Sequence, residues 1–200
     1  MTGTIQKIVH LVLLSMCVCS GASAQHISFG TWASGDILLS KGTPEQLNFN
    51  DKTQLIIPGV SQSVTINLND PQAAVLTVEG SEYLDVTVYV DGPPTVDLDA
   101  SNRIPLAVRF AYSNLDPSDV INAKLQAVEV PTGFNTATFP IFRRTGGPPG
   151  PPPVPPSSGY TPPRKKAWLF IYGTLGPVGN VDAGLYEGMI NVTVEYTKTN

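Results

Sequence analysis

The stretch Gly184–Tyr196, GLYEGMINVTVEY, decides the fold class of this chain. Two sets of side chains alternate along it, Ile190, Val192, Val194 and Tyr196 in one and Met189, Asn191, Thr193 and Glu195 in the other. A period of two residues is typical of a β-strand with one face in a core and the other in water. The pattern predicts a closing strand over 188–196, with the first set as its core face.

Other runs upstream share this period and predict further strands. They are SVTINLN (63–69), YLDVTVYV (83–90) and IPLAVRFAY (104–112), with QLIIPG (54–59), AAVLTVEG (73–80) and LQAVEV (125–130) as weaker candidates. AWLFIYG (167–173) is apolar on both faces, as in a central strand. Only PSDVINAKLQAVEV (117–130) admits one short helix or turn. Strands separated by glycine and proline turns predict an all-β, antiparallel, immunoglobulin-like β-sandwich.

The C-terminal pattern GxYxGxxxVxVxY follows the apolar and glycine-rich stretch WLFIYGTLGPVGNVDAG (168–184). Together they resemble the end of a family of secreted, fimbria-like bacterial proteins of unknown function, similar in layout to pilin-type subunits and to the spore-coat-type secreted domain. LNFN (47–50) and VLTVEGSEYLDVTVYV (75–90) also look like this family, so the resemblance covers roughly 37–196. It implies a pilin-like sandwich whose strands pair with those of other subunits.

Residues 1–24 have the pattern of a secretory signal peptide. Lys7 provides a positive charge, an apolar run follows, and the small residues before Gln25 predict cleavage after Ala24. A signal anchor and a lipoprotein, the latter through Cys17 or Cys19, are the alternatives. The pattern predicts an exported protein at the cell surface or outside the cell, with the periplasm as a further option. The remaining chain has no segment that would span a membrane.

Composition argues against several classes of function. Cleavage would leave 11 lysines and arginines, 16 acidic residues, a single histidine, His26, and no cysteine. A negative chain is poorly suited to nucleic acid, and a lone histidine gives neither a hydrolase triad nor a usual zinc site. Asp97 with Asp99, or Asp116 with Asp119, could contribute to calcium binding, but aspartates in such turns more often bond to backbone amides. The sequence therefore predicts a protein that is not an enzyme and needs no cofactor.

The segment 146–163, GGPPGPPPVPPSSGYTPP, contains nine of the 19 prolines. Proline cannot donate to a sheet ladder, so the segment predicts a long loop inserted in the domain 37–200. Basic residues flank it: Arg143, Arg144, Arg164, Lys165 and Lys166. The loop is either a tolerated insertion or a contact site for an acidic surface, a polysaccharide or a partner protein.

Residues 25–36 form either an N-terminal extension or a first strand. Ile27, Phe29 and Thr31 alternate with small or polar residues, and such a tail suits donation of a strand to another subunit's sheet. An unstructured leader is the third interpretation. The sequence thus predicts an exported structural protein, a fimbria-like subunit that pairs with copies of itself or related subunits. The alternative is a monomeric binding or adhesion module that uses the Pro-rich loop.

Overall fold

The computed structural model describes residues 25–51, 61–82, 84–144 and 163–197. The expected signal peptide, with its cleavage site after Ala24, lies outside the described residues. So do the candidate strand 54–59 and all of the Pro-rich segment except Pro163.

The described chain is mostly β-structure, as its alternating runs predict. Its strands are β1 (Gln25–Ala33), β2 (Leu38–Lys41), β3 (Leu47–Asn48), β4 (Gln62–Ile66), β5 (Ala74–Ser81), β6 (Asp85–Asp91), β7 (Thr95–Asp97), β8 (Arg103–Ser113), β9 (Val128–Glu129), β10 (Thr136–Pro140), β11 (Arg164–Val178) and β12 (Tyr186–Tyr196). One helix is described, α1 (Val120–Leu125), and a single 3₁₀ turn follows β3 at Phe49–Asp51.

The strands form two groups that one short strand joins. In the first group the order is β10-β6-β12-β1, with β3 paired to the start of β1. In the second, β11 lies between β8 on one side and β5 and β4 on the other, with β2 beyond β5 and β9 beyond β8. Because β7 pairs with both β12 and β8, the groups make one curled sheet. Buried side chains from both groups form one hydrophobic cluster.

Strand β11 is the centre of the second group. It runs for 15 residues, and 167–173 within it is buried throughout, as its apolar character on both faces predicts. A bulge interrupts its pairing with β4 between Leu175 and Val178, where Gly176 has a φ of 113°. A residue with a Cβ is strained at that φ, which explains a glycine in this strand.

Strand β12 confirms the predicted closing strand and begins two residues earlier, at Tyr186. Ile190, Val192 and Val194 are buried, and Tyr196 is partly buried at the end of the strand. One edge of β12 pairs antiparallel with β6, but the other pairs parallel with β1. The expectation of a purely antiparallel arrangement is therefore wrong at this pair. A two-residue period determines which face is buried and carries no information on the partner's direction.

The short helix falls inside the segment that admitted a helix or turn, but it starts after Pro117 and Ser118. Asp119 is the N-cap, and its carboxylate accepts a hydrogen bond from the backbone N–H of Asn122 at 2.9 Å. Because α1 extends to Leu125, the candidate strand 125–130 is reduced to Val128–Glu129.

Candidate functional site

The seam between β1 and β12 is the candidate site, because it joins the two ends of the described chain. Nine residues of β1, Gln25–Ala33, lie in continuous parallel register with Tyr186–Val194. By contrast, β1 pairs with β3 at only two positions, His26 and Ile27. Strand β1 is therefore bound to the sheet mainly through β12.

The candidate donor residues are divided between core and surface. Ile27 is 0% exposed and Phe29 is 5% exposed, and both belong to the cluster that contains Leu47 and Phe49. Thr31, two residues further, is exposed. In the structure this strand thus fills its own domain, as expected of a first strand. Its inward face carries two apolar side chains of the kind that a donated strand would need.

Four residues, Ser34–Ile37, connect β1 to β2, and we call this connection the hinge because it would have to open if β1 were exchanged. The backbone N–H of Ser34 donates to Val194 O at 3.0 Å, so the pairing with β12 continues one residue past β1. Gly35 follows with a φ of 66°, in the left-handed region that glycine adopts readily. The Ile37 N–H then donates to Ser34 O at 3.3 Å and closes the turn.

Arg164 holds the hinge from the first residue of β11. Its guanidinium lies 3.0 Å from Asp36 Oδ2 and donates to the backbone carbonyls of Asp36 at 2.9 Å and Glu79 at 3.1 Å. From the end of β12, the ring of Tyr196 lies beside Gly35, and its hydroxyl oxygen accepts the Ser81 N–H at 3.2 Å. Burial raises the pKa of Tyr196, so the phenol remains a neutral group at this contact.

Three more of the basic residues that flank the Pro-rich segment contact an acidic or an aromatic side chain. Arg144 lies 3.5 Å from Glu82, and Lys165 lies 2.7 Å from Asp116. The Lys166 ammonium lies 4.5 Å from the centre of the Trp168 ring. With Arg164 on Asp36, much of this positive charge is compensated within the domain.

For Arg143 the described contact is made by the backbone: its N–H donates to Asn114 O at 2.8 Å. Asn114 in turn donates from its side chain to Pro140 O at 2.8 Å. These bonds fix the exit of the chain from β10 towards the Pro-rich segment. These bonds do not bear on whether the Pro-rich segment is a contact site.

A cluster of Tyr172, Glu129 and Arg109 is a polar group that the sequence did not predict. Glu129 Oε2 accepts the Tyr172 hydroxyl at 2.6 Å and the Arg109 guanidinium at 2.9 Å. Burial first, and then the bond to Glu129, raise the pKa of Tyr172 well above its ordinary value. The phenol is thus a protonated donor that ties β9 to β11. The three residues of this cluster come from three strands, β8, β9 and β11, so no spacing within a local stretch of sequence could have predicted the cluster.

Two of the four candidate calcium-binding aspartates, Asp99 and Asp119, bond to backbone amides of their own turns, whereas Asp97 pairs with Arg103 and Asp116 pairs with Lys165. Asp99 accepts hydrogen bonds from the Asn102 side chain at 3.0 Å and from the backbone N–H groups of Ser101 at 2.7 Å and Asn102 at 2.9 Å, and these bonds, the side-chain bond first, lower its pKa. Asp119 caps α1, and the same kind of bonds lower its pKa. Among the described residues, no group of three metal-ligating side chains is assembled.

Comparisons with known proteins do not assign the chain to a family. No family model matches it, and a search of curated proteins finds no relative. Within the described ranges, no helix has the length and apolar character needed to cross a bilayer.

Proposed function

We propose that this chain is an exported, non-catalytic structural protein with a pilin-like β-sandwich fold. In this proposal it is a subunit of a fimbria-like surface assembly, built by β-strand addition at the β12 edge. The donated strand is β1 of a neighbouring subunit, either a second copy or a related chain.

The observation that carries the proposal is the nine-residue parallel seam between β1 and β12. A neighbour's β1 in the same register would remake the same main-chain bonds and refill the sites of Ile27 and Phe29. Exchange of an identical element leaves these contacts unchanged, and the hinge is the segment that must open. The resemblance of the C-terminal pattern to fimbria-like proteins supports the same role.

An immunoblot of material sheared from the source cells tests the proposal. Unheated samples in SDS should give a ladder of multimers, which collapses to a single band of mature size on boiling, because exchanged strands are held without covalent bonds. Deletion of residues 25–34 should remove the ladder, whereas deletion of 146–163 should retain it. A single band in both lanes would contradict assembly.

A monomeric binding or adhesion module is the second candidate. It is favoured by the position of β1, which completes the sheet of its own domain and leaves Ile27 and Phe29 buried. In this case the Pro-rich loop and its basic flanks would contact the ligand. Deletion of 146–163 should then abolish binding to the cell surface or matrix and leave the melting temperature nearly unchanged.

A further inference from the structure

The outer face of the first strand group carries two exposed aromatic rings in one cross-strand row. The register aligns Trp32 of β1 with Thr193 of β12, Thr193 with Tyr89 of β6, and Tyr89 with Thr136 of β10. Trp32 is 56% exposed and Tyr89 is 38% exposed. Neither ring contributes to the buried cluster, so the core does not explain them.

Between the two aromatic rings of this row lies only the small side chain of Thr193. Neighbouring strands lie about 4.8 Å apart, so the backbones that carry Trp32 and Tyr89 are separated by roughly 10 Å. Beside this row, Gly30 has no side chain, and Asn191 occupies the space above it: a Cβ on Gly30 would lie 2.5 Å from Asn191 Oδ1. An amide and hydroxyls are thereby presented beside the rings.

The aspartates and glutamates of this face are not balanced by any lysine or arginine in its four strands. None of β1, β6, β10 and β12 contains a lysine or arginine. Four carboxylates occupy outward positions of β6 and β12: Asp85, Asp91, Glu187 and Glu195. Tyr89 donates to Glu195 Oε1 at 3.4 Å, which places one carboxylate next to a ring of the row. This face disfavours anionic polymers and complements cationic ones.

We propose that this face binds an extended β-linked polysaccharide that carries free amino groups. Pyranose rings present flat C–H faces that stack on exposed aromatic side chains. The separation of the two ring-bearing backbones is comparable to the disaccharide repeat of such a chain, so alternate sugars meet Trp32 and Tyr89. Ammonium groups on the sugars are attracted by the aromatic faces and by Glu195 and Asp91. Asn191 and Thr193 supply hydrogen bonds to hydroxyls between them.

A basic peptide shares the positive charge but suits this surface less well. Peptides bind sheets chiefly by adding a strand at an edge, with side chains in pockets. The Trp32–Tyr89 row lies on the face of paired strands, where the main-chain groups of β12 are bonded to β1 and β6. A flat ligand with stacking surfaces fits this arrangement.

Retention of the purified exported protein on chitosan beads tests the proposal, with chitin beads and poly-lysine beads as comparisons. Trp32→Ala and Tyr89→Ala should each weaken binding to chitosan by about tenfold, as expected for loss of one stacked ring. Trp32→Phe should retain much of the affinity. The joint variant Glu195→Gln, Asp91→Asn should bind more weakly and with less dependence on salt.

Phe134→Ala provides the matched control, because Phe134 is an exposed aromatic residue (68%) outside the four strands of this face. It should bind chitosan like the parent, and thermal unfolding should show that all variants are folded. Three results would overturn the proposal. They are no retention on chitosan, retention unaffected by both ring variants, or equal retention on poly-lysine or chitin beads.

Discussion

At the scale of single residues, Phe29 links the first strand to the core. Its ring is 5% exposed, and it lies in the part of β1 that pairs with Ile190 of β12. Truncation would remove a large apolar group from a packed site.

We expect Phe29→Ala to lower the free energy of unfolding by about 3–5 kcal/mol, because burial is lost and a cavity remains. Unfolding in guanidinium chloride measures the change. Thr31→Ala, at the exposed end of the same face of β1, should change stability little. Equal effects of the two substitutions would show that β1 does not fill the core in this way.

Sequence alone predicted the residues that face the core within a strand. Ile190, Val192 and Val194 are buried as their alternation indicated. It did not predict the contact of Arg164 with Asp36, because these residues are separated by 128 positions. A pattern in a local window contains no information on which distant side chain completes a polar contact.

At the scale of elements, helix α1 depends on its cap. Asn122 N–H and neighbouring polar groups lower the pKa of Asp119 in the folded protein. A lowered pKa means that the charged carboxylate stabilises the fold at pH values above its ordinary pKa. This stabilisation is lost as the pH falls through the folded-state value.

Asp119→Ala should therefore speed hydrogen exchange of the α1 amides at neutral pH, since an orphaned N–H group loses its acceptor. The difference from the parent should shrink as the pH is lowered below the ordinary range of an aspartate. Asp119→Asn should retain part of the protection, because an asparagine oxygen can also cap. A difference that stays constant down to acid pH would contradict this account of the cap.

The sequence predicted which segments form strands better than it predicted which strands pair with each other. The two-residue period predicted β12 and the cores of β6 and β8, and the apolar run predicted the centre of β11. It did not predict that β1 would run parallel to β12. The direction of this pair depends on how the first and last described strands meet in the folded molecule, which no period in β1 encodes.

At the scale of the whole molecule, the contact of Arg164 with Asp36 connects the start of β11 to the hinge that follows the first strand. The pair of Arg164 with Asp36 is partly exposed, so its contribution should be modest and sensitive to salt. Its position has a specific consequence for the proposed strand exchange, because it holds the segment that would have to open before β1 leaves its own subunit.

Arg164→Gln should raise the hydrogen-exchange rates of the amides in β1 by roughly two- to fivefold, the range expected for one exposed charged contact. Protection elsewhere should change little. Arg103→Gln serves as a control, since Arg103 forms an exposed pair with Asp97 at 3.7 Å, away from the hinge. Unchanged exchange of the β1 amides in Arg164→Gln would show that this contact does not restrain the strand.

The measurement that tests strand exchange most directly uses cysteines at two opposed positions. Ser28 of β1 lies opposite Met189 of β12 in the parallel register, and the expected mature chain has no other cysteine. Neighbouring strands place such a pair within reach of a disulfide. A chain that carries both Ser28→Cys and Met189→Cys is the positive control, because its monomer should form an intrachain bond.

The test itself joins two single variants, Ser28→Cys and Met189→Cys, produced in the same cells. If β1 of one copy lies on β12 of the next, boiled samples without reductant should contain disulfide-linked dimers with one chain of each kind. These dimers should disappear with reductant. If the double variant closes within its own chain while the mixed single variants remain monomeric, β1 stays in its own subunit and assembly by strand exchange is contradicted.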